Sequence, residues 1–198
     1  MKTIRKLALG AVLLASSQMA MAVSVPNIDF ENGLTGWNVD PATNITTSSA
    51  LGPNQGNFYG QINGSGTLTQ LISVSIGQVY EFMWRFRTTE VAGDGYNDQA
   101  LVFHVNGSDT LVTVNSTGNT GGQYDSGWHR FSWVSTVATT GGLFAVSLFN
   151  EGDNLVNSQL LLDAVPLPVA PLLFGSALLG FAALRKKLIA KPADLATA

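Results

Sequence analysis

The chain of 198 residues contains no cysteine. That excludes a disulfide framework, a thiol nucleophile and Cys-ligated zinc. Its two histidines, His104 and His129, show no H-E-x-x-H or other metal-ligand spacing. There is no Gly-x-Ser-x-Gly elbow, and Gly64-Ser65-Gly66 follows no βα unit, so it reads as a turn rather than a phosphate loop. Between residues 23 and 165 there is no lysine at all. That stretch has three bases, Arg85, Arg87 and Arg130, against twelve acids, a net charge of −9 where the whole chain carries −3. Nucleic acid demands cations that neutralise phosphates, so it is excluded as a partner. A divalent cation is compatible with the charge.

The missing bases are concentrated at the two ends. Lys2, Arg5 and Lys6 precede an apolar run from Leu7 to Ala15, and Ala20-Met21-Ala22 forms an A-x-A cleavage site. These are the three parts of a secretory signal peptide over residues 1–22. Near the other end, Val165-Pro166-Leu167-Pro168 leads into an apolar run that reaches Leu184, followed by Arg185-Lys186-Lys187. The 16 residues from Val169 to Leu184 would span about 24 Å as a helix, short of the ~30 Å bilayer core. This predicts a short transmembrane helix with its basic triplet on the cytoplasmic side.

The tail resembles the PEP-CTERM sorting signal, in its Val-Pro-Leu-Pro-Ala variant. Val169 stands where that variant has Ala, and residues 188–198 extend past the basic cluster where such tails usually stop. The resemblance implies export by a Gram-negative bacterium and a transient stay in the inner membrane. It also implies processing by an exosortase, release to the cell surface or extracellular matrix, and association with exopolysaccharide and biofilm. The alternative is a permanent membrane anchor.

The intervening 23–164 is one domain by length. Its periodicity is that of strands. Tyr80, Phe82, Trp84 and Phe86 alternate with Glu81, Met83, Arg85 and Arg87. Ile72, Val74 and Ile76 alternate with Ser73 and Ser75, and Leu101, Phe103 and Val105 alternate with Val102 and His104. Asn106-Gly107 signals a hairpin before a strand over 110–114. Further strands contain Phe131 and Trp133, then Phe144, Val146 and Leu148, then residues 160–165. Gly, Asn, Ser and Thr fill the gaps, and no segment between the ends has helical length and period. The expected fold is all-β: a two-sheet antiparallel β-sandwich, a jelly roll, flanked by the signal-peptide and transmembrane helices.

The segment Asn27-Ile28-Asp29-Phe30-Glu31-Asn32-Gly33-Leu34-Thr35-Gly36-Trp37 resembles the opening of galactose-binding-like jelly rolls, including calcium-containing carbohydrate-binding modules. Leu160-Leu161-Leu162-Asp163-Ala164-Val165 is similar to their closing strand. The resemblance implies a first strand carrying Phe30-Glu31. It also implies a structural calcium between the carboxylates of Glu31 and Asp163, completed by backbone carbonyls to the six to eight oxygens calcium takes.

Asp94-Gly95-Tyr96-Asn97-Asp98 departs from the calcium-loop pattern and reads as a solvated turn. Sugar sites stack aromatic rings on sugar faces. Tyr59, Tyr96 and Tyr124, in Gly/Asn-rich segments, are the exposed candidates, whereas Trp37 and Trp84 read as core. The expectation is a non-catalytic exported protein that associates with extracellular polysaccharide. The alternative from another class is a secreted glycan-active hydrolase whose carboxylate pair the sequence does not mark.

Overall fold

A computed structural model describes residues 23–151 and 158–166. Two units divide after Val165, and the first holds all the strands among the described residues. These are β1 (Val23–Ser24), β2 (Asn38–Asp40), β3 (Ile45–Ser48), β4 (Tyr59–Asn63), β5 (Gly66–Val74), β6 (Val79–Thr88), β7 (Gln99–His104), β8 (Gly107–Thr113), β9 (Tyr124–Asp125), β10 (His129–Val134), β11 (Thr139–Phe149) and β12 (Gln159–Asp163). The expected signal peptide, with Ala20 and Ala22, lies outside the described residues. So do Leu167, Pro168, Arg185, Lys186 and Lys187 of the tail. No helix among the described residues is long and apolar enough to cross a membrane.

The strands form two sheets. One runs β1-β6-β12-β4-β3, with β9 and β10 on the other side of β6, and the second runs β2-β5-β11-β7-β8. Every pairing is antiparallel except the two-residue pairing of β1 with β6. The chain crosses between sheets from β4 to β5 to β6 to β7, and again from β10 to β11 to β12, as a jelly roll does. The expected two-sheet sandwich is therefore observed. Its last two strands occupy interior positions, β11 between β5 and β7, and β12 between β4 and β6.

The alternation read in the sequence decides what enters the core. Tyr80, Phe82 and Phe86 of β6, Phe144, Val146 and Leu148 of β11, and Leu160 and Leu162 of β12 are buried between the sheets. Phe144 joins the layers: its ring lies 5.4 Å from Trp133, 5.7 Å from Phe82 and 6.0 Å from Trp37. Burying an aromatic ring of this kind contributes on the order of 2–3 kcal/mol.

Three expectations need correction. Residues 26–36 form successive turns, not a first strand bearing Phe30-Glu31. Phe30 adopts a left-handed φ of 54°, and the Asn27 side chain ties the turns by donating to the carbonyls of Gly33 and Thr35. This conformation lays the Phe30 ring directly over Gly60, where any Cβ would collide with it. In β7 the core takes Ala100 and Val102, while Leu101 and Phe103 face outward, half-buried. The hairpin strand β8 ends at Thr113 rather than Val114, because Thr113 caps a one-turn helix, α1 (Val114–Thr117), by accepting from Ser116 N–H at 3.1 Å.

Candidate functional site

The outward side chains of the first sheet lie in cross-strand rows fixed by register. One row is Asn63, Gln159, Arg87 and Asp125, from β4, β12, β6 and β9. The next is Thr46, Gln61, Leu161 and Arg85. A third contains Ser48 and Tyr59 on one side of Asp163 and Met83. The strands that put hydrophobic side chains into the core thus present amides, guanidiniums and carboxylates on the other face.

These polar groups are joined. Gln61 Nε2 and Gln159 Nε2 both donate to Asn63 Oδ1, at 2.5 and 3.1 Å. Arg87 Nη1 donates to Gln159 Oε1 at 3.2 Å, and its Nε lies 3.2 Å from Asp125 Oδ2. Arg85 takes the same carboxylate bidentately, through Nε at 2.7 Å and Nη2 at 2.5 Å, and donates from Nη1 to the Leu51 carbonyl. The Arg85 guanidinium beside it, helped by the Gly127 N–H and by Arg87, holds the Asp125 carboxyl down at about 2. The network crosses four strands and stays partly exposed. Beside it a cavity of about 150 Å³ is lined by Arg87, Thr88, Thr89, Gln123 and Gln159. That exceeds the ~10–15 Å³ that a single water requires.

At the opposite end of β12 the sheet is covered by the loop between β3 and β4. Asp163 Oδ2 accepts from the backbone N–H groups of Asn54 and Gln55, at 2.6 and 2.8 Å, and Oδ1 from Ala164 N–H. Glu31 Oε1 accepts from Asn57 N–H and Phe58 N–H, at 2.5 and 2.9 Å, and Oε2 from the Asn57 side chain at 3.0 Å. The two residues expected to hold calcium thus grip neighbouring stretches of one loop, at Asn54–Gln55 and Asn57–Phe58. Those bonds lower the pKa of Glu31, the Asn57 side-chain bond most. Asp163 is fully buried, and burial pushes its carboxyl up to about 6 despite the N–H donors, with Asp29 adding in the same direction. A buried carboxylate in a negative field is an environment a cation would stabilise. Each carboxylate has about four lone-pair sites, and three contacts already engage each one. Among the described residues no group of three or more His, Cys, Asp or Glu is placed to hold a metal.

The aromatic candidates separate. Tyr59 is fully buried, contrary to the expected exposure. The loop covers it, its hydroxyl donates to Ser48 Oγ and accepts from Leu51 N–H, and Trp128 meets its ring edge-on at 6.2 Å. Tyr124 packs against the core because it pairs with inward-facing Thr88. Tyr96 is exposed. In its turn, Asp98 is not solvated: it is fully buried and its Oδ1 accepts from Glu151 N–H at 2.8 Å. The sequence reading did not single out Asn63, Gln61, Gln159 or Asp125. Its available signal was the pair Arg85 and Arg87 on the polar side of the clearest strand in a lysine-free stretch.

The Asp125 ion pair sets an acid limit. A carboxyl depressed in the folded state contributes stability above its ordinary value near 3.8, and loses it as pH falls toward 2. The difference in Tm between the protein and its Asp125→Asn variant is therefore expected to hold steady above pH 5 and close by pH 2. A difference that persists unchanged to pH 2 in thermal melts would contradict the pairing.

No protein-family model matches the chain, and no curated protein matches it. Among solved structures, it is similar to TmCBM61 in complex with β-1,4-galactotriose, at 18% identity and a TM-score of 0.43, over 70% of this chain and 93% of that one. A family 16 carbohydrate-binding module gives 13% identity and a TM-score of 0.43, over 71% and 95%. The K3 cleaved adhesin domain of Lys-gingipain from Porphyromonas gingivalis gives 16% identity and a TM-score of 0.42, over 68% and 94%.

Proposed function

We propose that this is a non-catalytic, exported protein that binds extracellular polysaccharide on the outer face of its first sheet, across the row Asn63, Gln159, Arg87 and Asp125. The observation that carries the reading is the pre-bonded network itself. It offers amide and guanidinium donors and amide and carboxylate acceptors over four strands, as the hydroxyl groups of an extended sugar chain require. Because those side chains already hold one another, little rotamer entropy is left to lose on binding. Trp128, half-buried beside Tyr59, supplies an apolar ring at the loop end. Asp125 is committed to two arginines and depressed to about 2, so it is a poor proton donor for glycoside hydrolysis, which needs a raised one.

Glycan-array binding with a parallel reducing-sugar assay tests this. Binding without turnover is expected, and Gln159→Ala and Asn63→Ala are each expected to weaken it about tenfold, near 1.4 kcal/mol. Release of reducing ends, or binding indifferent to both substitutions, would overturn the reading.

Calcium at the Glu31–Asp163 end belongs to the same proposal. The buried Asp163 and the added push from Asp29 support it. Glu31, Asp163 and loop carbonyls would hold the ion, which would neutralise this end and fix the loop over β12. Chelator is expected to lower Tm in the intact protein and to have no effect in Glu31→Ala. An identical melt with and without chelator in the intact protein would reject the ion.

Export and sorting complete the proposal. The signal-peptide pattern over 1–22 and the Pro-x-Pro, apolar and basic order over 165–187 support passage through the inner membrane. Exosortase processing would then deliver the protein to the cell surface or matrix. Intact-mass measurement of surface-exposed protein is expected to show a chain ending before Arg185; a majority species retaining Arg185 would favour a permanent anchor.

A further inference from the structure

We propose that the polysaccharide received by this face is acidic, with Arg87 as the partner of a uronate carboxylate; the inference rests on the binding reading above and narrows its ligand. Residues 23–165 contain only three cations. Arg130 is spent on Glu81. Arg85 is committed through all three nitrogens that carry N–H groups, two to Asp125 and one to the Leu51 carbonyl. Arg87 shares Asp125 through Nε and meets Gln159 through Nη1. Its Nη2 has no partner among the described residues, and the side chain lines the cavity. Two guanidiniums on one carboxylate leave one positive charge at this spot. Glu90, the next acid along the chain, is buried and does not line the cavity.

The physical choice follows from desolvation. The Arg87 side chain is only 16% exposed, so a ligand over the cavity removes most of its remaining water. A neutral sugar would cover a charge that Asp125 only half offsets, which is costly. A carboxylate would complete the pair with charge-assisted, fork-matched hydrogen bonds. The negative charge of the rest of the domain does not prevent this at physiological salt. There the screening length is about 8 Å, so the contact pair outweighs distant acids.

Affinity electrophoresis of the full protein tests the inference, with gels containing polygalacturonate, alginate, methyl-esterified polygalacturonate, neutral galactan or dextran sulfate. Retardation by polygalacturonate or alginate is expected. Methyl esterification is expected to abolish it, and Arg87→Gln to weaken it about tenfold. The esterification comparison uses the unmodified protein, so it stands even if Arg87→Gln fails to fold. Retardation by galactan or the methyl ester as strong as by the acidic polymers would overturn the acidic preference and leave polysaccharide binding intact. Equal retardation by dextran sulfate would overturn it in favour of charge alone. No retardation by any of the five would overturn the inference together with the binding reading.

Discussion

Five residues, Gln159 to Asp163, lie between β4 and β6 and face three different environments at once. Leu160 and Leu162 enter the core. Gln159 bridges Asn63 and Arg87 on the outer face. Asp163 holds the loop over the far end of the sheet. Because a strand alternates its faces with period 2, a slip of one residue would put both leucines on the polar face and the amide and carboxylate into the core. The inward leucines therefore fix the register that aligns the outer row. The position of Gln159 beside Arg87 depends on the fit of Leu160 opposite Phe86 and Ile62.

The two outer faces of the sandwich have opposite character. On the second sheet Leu71 stands opposite Leu143, both more than half exposed, with the half-buried Leu101 and Phe103 nearby, and the polar contacts there, such as the Thr67–Ser147 hydroxyl pair and Thr69 Oγ1 on the Asn38 carbonyl, form no continuous network. On the first sheet the corresponding positions carry the amide and guanidinium network. A side chain on an outer face is not needed to fill the core, so the partly exposed network contributes little net stability. Its cost to the fold is limited because each side chain in it meets at least one other, although the buried Arg87 Nε makes no hydrogen bond, and its directionality suits a hydrogen-bonding ligand better than the second sheet's outer face does.

Much of the fold was legible in alternation. β6 and β10 bury the residues their period announces, as do Phe144, Val146 and Leu148 of β11 and Leu160 and Leu162 of β12, although Leu143 and Leu161 put apolar side chains at outer positions. β7 was misleading because both of its faces are apolar: Leu101 and Phe103 are larger than Ala100 and Val102, yet the narrow space beside Leu148 and Val146 takes the smaller pair. The turn at Phe30 was illegible because its conformation depends on Gly60, thirty positions away, whose missing Cβ leaves room for the ring. The outer row of the first sheet was not legible in composition. Glu31 and Asp163 do meet at one loop. Asn63, Arg87, Asp125 and Gln159 form a row only through pairings between distant strands, and nothing in the local pattern of any one marks it. Tyr59 looked exposed from its Gly- and Asn-rich surroundings, but those flexible residues are the ones that let the loop fold back over it.

Asp125 and Asp163 show how one face can hold carboxyls with opposite tendencies. Both accept N–H donors, yet one is held down at about 2 and the other is pushed up to about 6. The difference is a fixed positive partner. Asp125 has two guanidiniums and remains partly open to water. Asp163 is fully enclosed, has only backbone dipoles for compensation, and feels Asp29. The excess charge is therefore positive at the Arg87 end of β12 and negative at the Asp163 end, along a strand of five residues. At about 3.3 Å per residue the two ends are separated by more than the physiological screening length of about 8 Å, so each can select its own counter-charge. In the proposed reading, the same strand orients an acidic sugar chain at one end while a cation, or a proton, balances the other.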